Sequence, residues 1–166
     1  MGNNFKFKDC PYMKNFKATF TIRNISGLDQ IIFRTTHWST VNASFGYCFN
    51  ISDTTCGFGK GSNSSSGSWS WIVSNLISKP AFSTNSDRTY KATVICNENN
   101  IKLYINDVLY IDQNDSTHIN MGQVGFRKYG EFNSTDTSEI IDFSMWDLDG
   151  KLIYYKDFKS KIDNVI

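Results

Sequence analysis

Apolar residues in this chain recur at every second position, and this period constrains the fold more than any other feature. The runs at residues 16–23 and 90–96 alternate apolar and polar side chains, which is typical of a half-buried β-strand. No window of the sequence repeats apolar residues at the three-to-four spacing of an amphipathic helix. The sequence therefore predicts an all-β protein.

Further strand-like runs follow one another at short intervals, separated by turn-forming residues. They lie at residues 30–34, 45–51, 69–73, 100–105, 108–111, 123–127, 140–146 and 151–155. About ten to twelve antiparallel strands without helices must bury their apolar faces by pairing two sheets or by closing a barrel. We expect an antiparallel two-sheet β-sandwich, with residues 1–166 as one domain.

Two connections between these strands have the sequence of tight hairpins. Asn106 and Asp107 separate two apolar runs, and both residue types tolerate the positive φ of a two-residue turn. Residues 147–150 form a second turn that leads into the run at 151–155. The Ser/Gly-rich residues 59–68 are expected to form a flexible loop inside the domain.

The charge balance argues against two classes of partner. The chain has 17 Lys and Arg residues and 16 Asp and Glu residues, which leaves a formal charge of +1. Such a chain has no broad field to attract phosphate backbones or anionic lipids, and it lacks the long apolar stretch of a spanning helix. We expect no nucleic-acid partner and no membrane insertion. The start lacks an apolar signal region, which suggests an intracellular protein or a mature segment of a longer one.

Cysteines and sequons leave the cellular compartment open. Cys48 and Cys56 could close a hairpin with Cys10 and Cys96 joining distant strands, or all four could be buried free thiols. Six Asn-x-Ser/Thr sequons are consistent with an exported glycoprotein but also with chance in an Asn-rich chain. They begin at Asn24, Asn42, Asn50, Asn63, Asn114 and Asn133.

The order of the strand motifs resembles the concanavalin A-like lectin/glucanase superfamily, in its laminin-G and carbohydrate-binding-module branches. The resemblance covers about positions 16 to 146 and depends on residues 31–34, 45–51, 88–94, 100–107, 122–127 and 140–143, including the Gly-x-Val-Gly of residues 122–125. It implies a jelly roll whose final strand returns beside the first. It also implies glycans among the ligands, although members of such a fold class differ in function.

The catalytic pattern of the glucanase branch is missing from this sequence. That branch has Glu-x-Asp-x-x-Glu or Glu-x-Asp-x-Glu on one strand, which retaining glycoside hydrolysis requires. The nearest string places Glu139 and Asp142 three apart, so we expect them on opposite faces, and no second glutamate follows. Asp147 and Asp149 suit a turn better than acid/base chemistry. We therefore expect no enzyme activity and no catalytic residue.

Six residues are candidate ligands of a glycan. Indoles stack on the apolar faces of sugar rings, and guanidinium or imidazole groups hydrogen-bond to hydroxyls. Trp69 and Trp71 lie two apart and share a strand face, unless both rings fill the core. For Arg34 the alternative is a salt bridge or carbonyl clamp inside the sandwich. The candidates are Arg34, His37, Trp38, Trp69, Trp71 and Arg127.

No cofactor is certain from the sequence, and calcium is the metal that its residues would suit. Asp107 and residues 112–115 offer the oxygen ligands that calcium prefers. They do not form a D-x-D-x-D-G loop, and turn chemistry accounts for them as well.

These features favour a non-catalytic carbohydrate-binding, lectin-like module. It would belong to a larger extracellular or surface-targeting protein, with flanking domains or a homo-oligomer, and would bind a glycan or polysaccharide. The alternative is a virion, phage-tail or surface structural domain used for assembly or host adhesion. A glycoside hydrolase is the third and least favoured hypothesis.

Overall fold

The computed structural model describes residues 3–7, 9–24, 27–37, 45–52, 54–61, 69–78, 86–129 and 138–158. Within these ranges every regular element is a β-strand, and the strands form two six-stranded antiparallel sheets. No helix in the same ranges is long and apolar enough to cross a membrane. The predicted all-β, two-sheet sandwich is confirmed.

Twelve strands are present in the described part of the chain. They are β1 Asn3–Lys6, β2 Phe16–Arg23, β3 Leu28–His37, β4 Phe45–Ile51, β5 Thr55–Gly61, β6 Trp69–Ser78, β7 Thr89–Asn97, β8 Asn100–Ile105, β9 Val108–Asn114, β10 Gln123–Tyr129, β11 Glu139–Trp146 and β12 Leu152–Asp157.

The strand order separates the chain into two layers. The first sheet has the order β1-β10-β3-β4-β5-β6, and the second has the order β12-β11-β2-β7-β8-β9. Consecutive hairpins build β3 to β6 in the first sheet and β7 to β9 in the second. β11 lies beside β2, so within positions 16 to 146 the final strand returns beside the first, as the resemblance implied.

The core lies between the sheets and is rich in phenylalanine. On β2 the apolar residues at positions 16, 18, 20 and 22 are fully buried, as the period of two predicts. Phe7 stacks on Phe143 with 4.3 Å between the ring centroids, and Phe33 stacks on Phe49 at 5.0 Å. Each buried ring contributes roughly 1.5–3 kcal/mol, so the alternating apolar pattern drives the pairing of the sheets.

Sequence analysis missed two strands, β1 and β5. β5 carries Gly57, Gly59 and Gly61, and glycine has low strand propensity, so this segment did not have the sequence of a strand. The expected loop at residues 59–68 is therefore wrong over 59–61, where β5 continues, and residues 62–68 lie outside the described ranges.

Both predicted hairpin turns are present. Asn106 and Asp107 have φ values of 49° and 65°, so both central residues adopt the positive φ of a type I′ turn. In the β11–β12 turn, Gly150 has a φ of 89°, which favours glycine. The Asp147 carboxylate accepts a hydrogen bond from the Lys151 amide at 2.8 Å, so Asp147 has the turn role that was expected.

All four cysteines are buried and are reduced thiols. The register pairs Cys48 with Gly59 and Cys56 with Ile51, so the two thiols of the β4–β5 hairpin are not opposite each other. Burial raises the pKa of Cys56 to about 12, so its thiol stays protonated at neutral pH. Of the alternatives left open by the sequence, four buried free thiols describes the structure.

Candidate functional site

The outward face of the first sheet is the candidate site, because polar residues alternate there with the core. Ile31 and Phe33 on β3, and Tyr47 and Phe49 on β4, belong to the core cluster. Successive residues of a strand point to opposite faces. The residues that point away from the core are therefore Gln30 and Ile32 on β3 and Cys48 and Asn50 on β4.

The backbone register aligns the outward positions into two rows that cross the sheet. The amide row consists of positions Asn4, Arg127, Gln30, Asn50 and Gly57. The tryptophan row consists of positions Lys6, Gly125, Ile32, Cys48, Gly59 and Trp71.

Two side-chain amides form the centre of the amide row. Gln30 Nε2 donates to Asn50 Oδ1 at 2.8 Å, and Cys48 Sγ donates to the same oxygen at 3.3 Å. Gln30 and Asn50 are only 7% and 6% exposed. An amide carries both donors and an acceptor, so this pair presents the chemistry that a hydroxyl-rich ligand needs, in a place shielded from water.

β5 forms a strip of bare backbone next to these amides. Gly57 belongs to the amide row and Gly59 to the tryptophan row, and Gly61 is paired with Trp69. Alternate positions of β5 thus have no side chain, and all three glycines are buried. The strip separates the amides of β3 and β4 from the first residues of β6.

Two of the six predicted site residues occupy the two rows. Trp71 stands opposite Gly59 in the tryptophan row, and Arg127 lies between Asn4 and Gln30 in the amide row. For both residues the structure describes the backbone, which sets their register positions.

Two other predicted residues, Trp69 and His37, lie outside the two rows. Trp69 begins β6 opposite Gly61, two positions from Trp71, and His37 ends β3 opposite Phe45. The structure describes the backbone of Trp69 and His37, whereas Trp38 lies outside the described residues.

The sixth residue, Arg34, lies inside the sandwich and is only 2% exposed. Its Nε and Nη2 donate to the Lys14 carbonyl at 2.9 and 2.8 Å, and Nη2 also donates to the Glu98 carbonyl at 2.6 Å. Gly122 packs against its backbone, since a Cβ at Gly122 would lie 2.2 Å from the Arg34 carbonyl carbon. The placement matches the carbonyl-clamp alternative, so the expectation that Arg34 binds a sugar is corrected and Arg34 is left out of the site.

Sequence analysis did not select Gln30 or Asn50. The sequence did contain a signal. Each of the two amides interrupts a strand-like run and is flanked by large apolar residues, Gln30 in β3 and Asn50 in β4. An uncharged polar residue inside such a run is either exposed or hydrogen-bonded. Only the pairing of β3 with β4 shows that the two amides meet.

A polar cluster at one end of the sandwich holds the end of β5 in place. Tyr47 Oη donates to Asp115 Oδ1 at 2.7 Å, and Lys60 Nζ donates to Asp115 Oδ2 at 2.7 Å. His118 Nε2 lies 2.9 Å from the Gly61 carbonyl oxygen. Desolvation alone would raise the pKa of Asp115, but the hydrogen bonds from Lys60, Thr117 and Tyr47 outweigh it and hold that pKa well below its usual value.

The acidic residues that the sequence offered to calcium are paired with lysines. In the described ranges, no group of three or more His, Cys, Asp or Glu side chains is placed to hold a metal ion. A neighbouring ammonium supplies the positive charge that a calcium ion would supply, so a paired carboxylate is a poor calcium ligand. The pairs are Lys91 with Asp107 at 2.7 Å, Lys102 with Asp112 at 3.3 Å and Lys60 with Asp115 at 2.7 Å.

Glu139 and Asp142 do not point to opposite faces, as their spacing had predicted. The pairing of β11 with β2 skips Ile141, so Glu139 stands opposite Arg23 and Asp142 opposite Thr21. Arg23 and Thr21 are two apart and share a face, and the two acids therefore share it as well. Arg23 Nη1 donates to Glu139 at 3.2 Å and Thr21 Oγ1 donates to Asp142 at 3.0 Å, which gives each carboxylate a structural partner.

No protein-family model matches this chain, and no curated protein matches it. Solved structures do resemble it. The carbohydrate-binding module CBM66 from Bacillus subtilis superposes with a TM-score of 0.55 at 22% identity, over 78% of this chain and 73% of that one. Sheep galectin-11, in complex with glycerol, has a TM-score of 0.53 at 10% identity, over 88% and 96% of the two chains.

A tetrameric galectin from the ball sponge Cinachyrella sp. gives a TM-score of 0.54 at 9% identity, over 89% of this chain and 99% of that one. Likeness at such low identity shows the fold and does not transfer a ligand. The chain shares the two-sheet jelly-roll fold of these solved structures, as the order of its sequence motifs predicted.

Proposed function

We propose that this protein is a non-catalytic, lectin-like module that binds a glycan across the amide row and the tryptophan row. One observation carries the proposal: the hydrogen-bonded amides Gln30 and Asn50 lie beside the glycine strip of β5, which in turn lies opposite Trp71. This order places polar groups, bare backbone and an indole-bearing position on four successive strands, β3 to β6.

Each part of this surface suits one part of a sugar. Hydroxyl groups both donate and accept hydrogen bonds, and the two amides do the same. The C–H faces of a sugar ring stack on an indole, which the residue at position 71 would supply. Because the amides are almost fully buried, hydrogen bonds formed there compete little with water.

The solved structures that share the fold support the same class of ligand. Those structures are a carbohydrate-binding module and two galectins. Proteins with this fold also have other functions. The glycan proposal therefore depends on the residues of the amide row and the tryptophan row of this chain.

We further propose a polysaccharide or surface glycan as the partner, bound outside the cell or at a cell or virion surface, where the module would serve adhesion within a larger protein. Export is compatible with the sequon at Asn114, whose side chain is exposed at the end of β9. The sequon residues Asn24 and Asn50 are buried and hydrogen-bonded, so a glycan on either would prevent folding.

A glycan array with and without calcium tests the proposal, using wild type, Trp71→Ala and Trp146→Ala. Trp146 is the matched control, because it lies on the outward face of the second sheet, where Lys17 Nζ is 5.5 Å from its ring centroid. We expect sharp hits that W71A weakens about tenfold or more and that W146A keeps, since loss of a stacking ring costs on the order of 1 kcal/mol or more. A blank array, or W71A binding as wild type does, would contradict the proposed site.

The alternative of an assembly domain has one observation in its favour. Leu152, Ile153 and Tyr155 are exposed on β12, which is the edge strand of the second sheet. The edge itself is protected from adding another strand by a bulge in the β11–β12 pairing and by the neighbouring Lys156. The observation in favour of assembly is therefore the exposure of these apolar side chains. Self-association in light scattering together with a blank glycan array would favour the assembly domain.

The hydrolase alternative depends on the two acids that share a face of β11. Glu139 is paired with Arg23, and Asp142 accepts from Thr21, so neither has the arrangement of a nucleophile beside a proton donor. Release of reducing ends from a β-glucan, lost in both Glu139→Gln and Asp142→Asn, would restore this hypothesis.

A further inference from the structure

We propose that Arg34 Nη1 binds a small monovalent anion, of the size of chloride, inside the sandwich. This inference is separate from the proposed glycan site, because Arg34 is buried between the sheets and the two rows lie on the outward face of the first sheet. It depends on a buried positive charge for which the described part of the chain supplies no negative partner.

A break in the pairing of β3 accompanies the burial of Arg34. Arg34 has a φ of 50°, and the register pairs it with no residue of β4 or β10, the two neighbours of β3 in the sheet. Its side chain lies inside the sandwich and the residue is only 2% exposed. A guanidinium keeps its charge at all ordinary pH values, and burial of a charge is costly unless the charge is paired.

The hydrogen bonds of the guanidinium use two of its three nitrogens. Nε and Nη2 donate to the Lys14 carbonyl at 2.9 and 2.8 Å, and Nη2 also donates to the Glu98 carbonyl at 2.6 Å. Nη1 is buried and has no hydrogen-bond acceptor among the residues that the structure describes. Buried polar atoms nearly always have a partner, so a buried N–H group of this kind indicates a bound water or ion.

The hydrogen bonds of Arg34 leave its charge unbalanced. Both acceptors are backbone carbonyls, which are neutral, and within the described ranges no carboxylate forms an ion pair with Arg34. Glu98 directs its carboxylate away, to Lys14 Nζ at 2.6 Å, and that side chain is 56% exposed. The nearest acidic residue therefore contributes a carbonyl and not a charge.

The other acidic groups around Arg34 do not supply the charge either. Burial raises the pKa of the Cys96 thiol to about 12, although the positive charge of Arg34 opposes the rise. Burial also raises the pKa of the Tyr47 hydroxyl well above its usual value. Both groups are therefore neutral at pH 7. The Asp115 carboxylate, which accepts from Tyr47, is paired with Lys60 at 2.7 Å.

A chloride-sized anion suits this nitrogen better than a water molecule or a larger anion. A water would accept from Nη1 but would leave the charge unbalanced, whereas an anion satisfies both requirements. Because Nη1 is buried, a bulky anion such as sulfate or a sugar acid does not fit. The Lys14 and Glu98 side chains beside the guanidinium are 39% and 56% exposed, so Arg34 lies close beneath the surface, within reach of a small ion.

Thermal unfolding at constant ionic strength tests the inference. Sodium gluconate, whose anion is much larger than chloride, is replaced stepwise by sodium chloride at a total of about 0.2 M, so that general screening does not change. The proteins are wild type, Arg34→Met and Arg23→Met. R23M is the matched control, because it removes the same charge from an exposed position that is paired with Glu139.

We expect chloride to raise the unfolding temperature of wild type and R23M by about 2–4 °C and to leave that of R34M unchanged. The size follows from linkage, since an anion at about ten times its Kd increases the folding equilibrium constant about tenfold. Wild-type crystals soaked in bromide give a second measurement, which decides the question if R34M does not fold. We expect an anomalous bromide peak beside Nη1.

Four results would overturn the inference. An equal chloride effect in wild type and R34M would place the effect elsewhere on the protein. The second is the absence of any chloride effect in wild type, and the third is a water beside Nη1 without a bromide peak. A bromide peak without a chloride effect in solution would mean binding at crystal concentration only. The glycan array tests the proposed function separately, so none of these results decides it.

Discussion

Gln30 on β3 donates its Nε2 hydrogen to Asn50 Oδ1 on β4 at 2.8 Å, although both residues lie on the face of the sheet that points away from the core. We expect Asn50→Ala and Gln30→Ala each to lower the free energy of unfolding by about 1–3 kcal/mol, because each leaves a buried amide without its partner. The double variant should cost less than the sum of the two, by about 0.5 kcal/mol or more. Urea unfolding of all four proteins checks this, and strict additivity would show that the amides do not depend on each other.

Arg34 clamps two carbonyls inside the sandwich, and Arg34→Met should therefore affect stability and spare glycan binding. We expect a loss of roughly 2–4 kcal/mol, because the Lys14 and Glu98 carbonyls lose a charged donor. The control Arg23→Met removes an exposed guanidinium and should change stability by about 0.5 kcal/mol or less. If R34M stays folded and loses glycan affinity while R23M does not, Arg34 belongs to the binding site after all.

Asp115 should make the protein sensitive to acid. Its pKa lies below the unfolded value of about 4, so it stabilises the fold above that pH, and the stabilisation is lost as pH falls through the folded pKa. Asp115→Asn should be less stable than wild type at pH 7 and lose less stability between about pH 4 and pH 2. Thermal unfolding of wild type and of Asp115→Asn at a series of pH values measures how steeply the stability of each protein changes with pH. Asp149→Asn, at an exposed turn position, is the control for removal of one carboxylate.

The β8–β9 turn should respond in opposite ways to changes at its two central residues. Asn106 has a φ of 49° and accepts from the Lys91 amide at 2.9 Å, so Asn106→Val should cost about 1–3 kcal/mol. Asp107 has a φ of 65°, which glycine adopts without strain, and its ion pair with Lys91 is exposed. Asp107→Gly should thus be neutral or stabilising by up to about 1 kcal/mol. Denaturant midpoints measure both variants, and a large loss in D107G would contradict the turn assignment.

The strands with clear alternation were predictable because burial of one face is a local property of the sequence. β2, β4 and β8 have the bounds that the apolar period predicted. β5 was not predicted, because its glycines have no side chains to bury and so produce no alternation of apolar and polar residues. Its pairing with β4 and β6 holds it in the sheet.

The candidate site was predictable only in part. Trp71 and Arg127 were selected for their chemistry, and the register does place them in the outer rows. Arg34 was selected for the same chemistry, but a φ of 50° and a break in the pairing of β3 with its neighbours accompany its placement inside the sandwich. A local break of this kind depends on neighbouring strands, so the spacing of residues along one strand cannot reveal it.

The same limit explains the error at Glu139 and Asp142, where one skipped residue, Ile141, moved both acids to a single face. By itself the sequence determined the all-β class, most strands, both hairpin turns and the jelly-roll resemblance, because these follow from period and turn chemistry. Only the tertiary structure decided that Gln30 meets Asn50 and that glycines of β5 separate them from Trp71. Those relationships join strands distant in the chain, and they depend on pairing order and register rather than on local pattern.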